Sequence, residues 1–125
     1  MSFFERYFAA LDGPDPLSCL ELVDEDVSFS IHWSDGEKSR EFTGGRDDLA
    51  RFTEAGDTSG WAHYVVWSAR SGDVEFALGE TRWDDGRRIG TFTAVAQLGP
   101  DGRMLRYLTA RSPLIEFDTK GDDDG

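Results

Sequence analysis

One cysteine, two histidines and two lysines leave this 125-residue chain short of the side chains that build most small catalytic centres. Cys19 has no partner for a disulfide or a metal knuckle, and its place between Leu17 and Leu20 reads as a small core residue. His32 and His63 are far apart, with no helical His-x-x-x-His and no clustered carboxylate spacing, so no metal is expected. Gly-x-Ser-x-Gly is absent, as is a phosphate-cradling glycine loop with lysine, which argues against triad hydrolysis and nucleotide chemistry. No motif implies a cofactor. Long hydrophobic runs are also missing, so no membrane span is predicted. Met1 to Leu11 carries Glu5 and Arg6 where a signal peptide needs an apolar stretch, which predicts a cytoplasmic protein. Basic residues number 13 against 25 acidic ones, and the net charge of −12 repels phosphate backbones and anionic lipid. Neither nucleic acid nor a membrane surface is expected as a partner.

What the chain does have is apolar and aromatic material, 38% and 13% of its residues, enough for one packed domain. Ser2 and Glu5 have capping-box spacing. A helix over Phe3 to Leu11 follows, with Phe4, Tyr7, Phe8 and Leu11 on one face. Gly13-Pro14 breaks it, and Asp15-Pro16 opens a second helix to about Val23 with a carboxylate cap. Val27, Phe29, Ile31 and Trp33 then alternate with Ser28, Ser30 and His32, the period of a half-buried strand. Asp35-Gly36 turns the chain into a short return strand through Arg40 to Phe42. A third helix begins at Arg46 or Asp47, directs Leu49 and Phe52 inward, and meets a left-handed stop at Gly56. Asp57 to Gly60 reads as a loop. Four β-runs follow, at about Trp61 to Arg70, Asp73 to Asp84, Arg87 to Leu98 and Arg103 to Arg111. The turns between them are Ser71-Gly72, Asp85-Gly86 and Pro100-Asp101-Gly102, which predicts an antiparallel meander. One domain over residues 1–117 is expected, with residues 118–125 an acidic, flexible tail.

Helices first and a meander after predict an α+β architecture, a cone-like roll of the cystatin-like type. In it the N-terminal helices pack on a strongly curved, mostly antiparallel sheet that encloses a pocket. The strings Arg6-Tyr7-Phe8-Ala9-Ala10-Leu11-Asp12, Asp26-Val27-Ser28-Phe29, Gly44-Gly45-Arg46-Asp47-Asp48-Leu49 and Asp101-Gly102-Arg103-Met104 fall in the order and spacing of one family. The chain resembles the nuclear transport factor 2-like superfamily, and within it the SnoaL-like group that includes ketosteroid isomerases and polyketide cyclases. The resemblance implies a conical cavity between sheet and helices, and a homodimer formed through the outer sheet face. It puts Tyr7 where ketosteroid isomerases hold a helix-borne tyrosine that donates to a developing oxyanion. Ile31 falls where those enzymes keep their carboxylate base, and Ala94 falls near their second, protonated acid. Leu108-Thr109-Ala110-Arg111 stands where the cyclases carry an acidic residue.

Candidate residues follow from faces and charge. His32 is out of register with Phe29, Ile31 and Trp33 and is expected on the surface. His63 shares a strand face with Val65 and Trp67, which makes it the pocket histidine. Glu80 and Arg82 continue the two-residue spacing of Val74, Phe76 and Leu78, either as a polar floor of the pocket joined by Arg106 or Arg111, or as the strand's emergence into solvent. Trp33, Trp61, Trp67 and Trp83 offer surfaces for a flat ligand. The main expectation is a protein that binds a small apolar or aromatic molecule among Phe4, Phe8, Phe29, Ile31, Trp33, Trp67 and Arg82. The second is an isomerase, cyclase or dehydratase in which Tyr7 polarises a carbonyl and His63 or Glu80 is the base. The third is a protein-interaction or accessory subunit.

Overall fold

The computed structural model describes residues 1–56 and 60–117, so residues 57–59 of the expected loop and the acidic tail lie outside the described residues. Its elements run α1 (Phe3–Leu11), a 3-10 helix (Pro16–Leu22), β1 (Val23–Ser34), β2 (Ser39–Gly44), α2 (Arg46–Ala55), β3 (Trp61–Ser71), β4 (Val74–Trp83), β5 (Arg88–Leu98) and β6 (Met104–Pro113). The strands form one six-stranded sheet in the order β2-β1-β6-β5-β4-β3. Every pairing is antiparallel except β1 with β6, which brings the first strand beside the last. The sheet is not closed, and the helices cover one face of it. Among the described residues no helix is long and apolar enough to cross a membrane.

Local chemistry sets the elements. Ser2 and Glu5 cap α1 reciprocally, Ser2 Oγ accepting from Glu5 N at 3.2 Å and Glu5 Oε1 from Ser2 N at 3.0 Å. The next two free amides of the helix, Phe3 N and Phe4 N, donate to the buried carboxylate of Glu75 on β4 at 3.1 and 2.9 Å. That carboxylate pins the positive end of α1 to the sheet. Phe3, Phe4, Tyr7 and Phe8 are buried behind it. Gly72, Gly86 and Gly102 take positive φ at the hairpin turns, where a side chain would strain the backbone.

Three local expectations need correction. The second helix is a seven-residue 3-10 run, and Asp15 makes no side-chain cap bond. β1 begins at Val23, four residues before the alternation starts, because Asp24, Glu25 and Asp26 occupy an irregular stretch where pairing with β6 skips from Val23 to Ser28. Gly56 is extended, with φ −74° and ψ 151°, so it ends α2 by leaving the helix and not by a left-handed turn.

Candidate active site

Between the helices and the inner face of the sheet lies a cavity of about 310 Å³. Tyr7, Phe8 and Leu11 of α1 bound one side, and Leu49, Phe52 and Thr53 of α2 another. The sheet contributes Phe42 of β2, Ile31 and Trp33 of β1, Tyr107, Thr109 and Arg111 of β6, Phe92 of β5, and Trp61 and His63 of β3. This volume is at the lower end of ordinary ligand sites, and the lining is largely aromatic.

The titratable centre is His63. Its Nδ1 lies 3.0 Å from Asp12 Oδ1, and its backbone N donates to Asp12 Oδ2 at 2.7 Å. A carboxylate accepts and does not donate, so in the neutral imidazole Nδ1 carries the ring proton and Nε2 carries the lone pair. Asp12 is the residue that caps the end of α1, so the helix terminus fixes the carboxylate and the carboxylate fixes the ring. Aromatic packing holds the imidazole as well. Phe8 stacks on it at 4.5 Å and 12°, Phe92 meets it edge-on at 5.4 Å, and Trp61 lies 5.1 Å away. The His63 and Asp12 side chains are only 14% and 9% exposed, so water competes little for the contact.

Two phenols face the same space. Burial pushes Tyr7 well above the usual tyrosine range, reinforced by Tyr107 and by the Cys19 thiol, its hydrogen-bond partner. Burial likewise pushes Tyr107 up, against the opposing effect of a hydrogen bond with Thr109. Both stay neutral and able to donate at any ordinary pH. Burial also raises the Cys19 thiol, so it is no thiolate nucleophile.

No family model matches this chain, and no curated protein does. Solved structures do. A proposed isomerase of the SnoaL-like family from Agrobacterium tumefaciens superposes with a TM-score of 0.65 at 17% identity, over 87% of this chain and 93% of the other. A proposed polyketide cyclase from Sinorhizobium meliloti gives 0.61 at 18%, over 86% and 92%. A protein of ketosteroid isomerase-like fold from Catenulispora acidiphila, in complex with trimethylamine, gives 0.65 at 11%, over 86% and 83%. The fold is nuclear transport factor 2-like. Identities this low fix the fold and leave the chemistry to the residues. On this nuclear transport factor 2-like frame, Ile31 and Thr109 face the cavity and Ala94 is buried in the core, so carbon and hydroxyl stand at the three positions that the resemblance marks for acids.

The structure brings together Tyr7, Phe8, Ile31, Trp33 and His63, and it separates the other expected residues from them. Phe4 and Phe29 are buried in the core and do not line the cavity. Trp67 is on the outer face, 42% exposed. Pairing slips by one between Val65 and Trp67, so Val65 pairs with Gly79, Trp67 pairs with Leu78, and Val66 is the extra residue. The alternation from His63 to Trp67 therefore fails at Val66. Glu80 and Arg82 also face outward, bonded to each other at 2.7 Å, with Arg88 at 3.5 Å from Glu80 and Arg82 lying over Tyr64. Val74, Phe76 and Leu78 share that outer face because the inner positions of β4 are Glu75, Ala77, Gly79 and Thr81. The missing side chain at Gly79 makes room for the Phe92 ring, so the larger apolar residues of β4 turn outward. His32 is exposed, as its alternation predicts.

Asp12 and Tyr107 complete the site without any expectation from the sequence, and Trp61 and Arg111, expected as a ligand surface and as part of a polar floor, both line the cavity. The signals were present. Asp12 extends the four-residue stripe Phe4-Phe8, so an acid stands where the apolar face would continue. Tyr107, Thr109 and Arg111 alternate as one face of the last strand.

Proposed function

We propose that the chain is an acid–base enzyme of the isomerase, cyclase or dehydratase kind, acting on a small aromatic or apolar carbonyl compound. The observation that carries this reading is the Asp12 carboxylate bonded to His63 Nδ1 at the wall of an aromatic cavity. His63 Nε2 takes a proton from carbon beside the carbonyl, and Asp12 stabilises the imidazolium that forms. Tyr7 or Tyr107 donates to the oxygen on which charge develops. Glu80 has no part in this scheme. The relatives of this fold that are proposed to be isomerases and cyclases support the class of chemistry. The test is exchange of the α-protons of 2-tetralone into D2O, followed by NMR. Wild-type protein accelerates exchange, and His63→Gln returns it to the buffer rate. Equal rates for the two proteins contradict the reading.

The outer sheet face is the surface through which two copies pair in this proposal. Tyr64, Trp67, Phe76 and Leu108 are 41%, 42%, 41% and 56% exposed there, large apolar side chains that such a pairing would cover.

A further inference from the structure

One row of side chains crosses three strands along the cavity wall. Arg40 of β2 pairs with Trp33 of β1, and Trp33 pairs with Arg111 of β6. All three line the cavity. The Arg111 guanidinium carbon is 4.7 Å from the Trp61 ring centroid, and Trp61 is the ring that flanks His63. A guanidinium and the proposed base are therefore one indole apart.

Five other arginines are answered by acids: Arg51 by Asp48, Arg82 and Arg88 by Glu80, Arg87 by Asp85, and Arg103 by Asp101. Arg6, Arg70 and Arg106 are exposed to water, and the part-buried Arg46 donates to the Leu20 carbonyl at 3.1 Å. Among the described residues, Arg40 and Arg111 form no ion pair, in a chain with 25 acidic residues to 13 basic ones. Arg111 is half-buried, and burial alone moves it below the usual guanidinium range, with no acid opposing the shift. A desolvated cation without a counter-charge is costly, and a bound anion removes that cost.

We infer that the molecule taken by this cavity carries a carboxylate, held by the Arg111 fork with Arg40 at the rim, while its aromatic body lies against Trp33 and Trp61. The planar fork suits a carboxylate because it can donate two parallel hydrogen bonds. Trp61 then separates the anchored acid from the carbon that His63 deprotonates, so Arg111 sets which end of the molecule enters first. This inference rests on the cavity being the substrate site.

Calorimetric titration with 2-naphthoate and its uncharged amide separates the two claims. Wild-type protein is expected to bind the naphthoate about 10- to 100-fold more tightly than the amide. Arg111→Gln removes that preference and leaves the amide within about threefold, Arg111→Lys restores part of it, and Arg40→Gln reduces it less. The probe pair on wild-type protein needs no variant, so a poorly folding Arg111→Gln does not blunt the test. An amide that binds as tightly as the naphthoate, or a preference that survives Arg111→Gln, overturns the carboxylate inference and leaves the cavity reading intact. Binding of neither probe overturns both.

Discussion

Asp12 holds the His63 backbone and ring with one carboxylate, so its removal should show in chemistry more than in stability. Asp12→Asn offers the ring an amide that can donate as well as accept, and the imidazole can then adopt the other tautomer with its proton toward the cavity. Exchange of the 2-tetralone α-protons should fall by about 100-fold or more, while the thermal midpoint moves by only a few degrees. The two buried phenols give a separate prediction. In the unfolded chain tyrosine ionises near pH 10, roughly, whereas Tyr7 and Tyr107 ionise higher in the folded protein because burial penalises phenolate. The folded state thus keeps protons that the unfolded state loses. Their contribution is fully present below about pH 10 and is lost as pH rises further. Urea midpoints should hold up to about pH 10 and decline as pH rises above it, and absorbance at the phenolate band should show these two rings ionising together with unfolding.

Among the elements, α1 depends on β4 for the anchor of its N-terminus, and the His63 site depends on β4 for the seat of Phe92. Glu75 accepts two amides at the helix start, and Gly79 gives the Phe92 ring the space that places it against His63. Glu75→Gln should cost about 2 kcal/mol in chemical denaturation, because two hydrogen bonds to a buried charge are weakened. Gly79→Ala should cost about 1–3 kcal/mol and should also slow catalysis, since the new methyl meets the Phe92 ring and the Tyr64 carbonyl. The four β-runs of the second half were legible because glycine turns punctuate them and their apolar residues alternate. The bulge at Val66 was not legible. An extra residue changes which face follows it without changing composition, and so Trp67 passed for a pocket residue. Glu75 was hidden for another reason, because a lone acid in a strand reads as solvated until a helix N-terminus is known to lie above it. Likewise Asp12 could be placed on the stripe of α1, but only the parallel and antiparallel register of the sheet brings residue 63 to it.

For the whole molecule, the two faces of the sheet divide the work. The inner face carries the cavity and the His63–Asp12 pair, and the outer face carries the Glu80–Arg82–Arg88 cluster beside Tyr64, Trp67, Phe76 and Leu108. Light scattering should find twice the chain mass for wild-type protein and a single chain for Leu108→Glu combined with Phe76→Glu, with the helical circular dichroism unchanged. The central claim, that Asp12 holds His63 as the Nδ1–H tautomer and leaves Nε2 to act as the base, is tested most directly by nitrogen-15 NMR of the imidazoles. With two histidines in the chain, His63→Gln assigns the signals. The neutral His63 ring should appear as the Nδ1–H tautomer and change to Nε2–H in Asp12→Asn, whereas an Nε2–H ring in the wild-type protein would contradict the account.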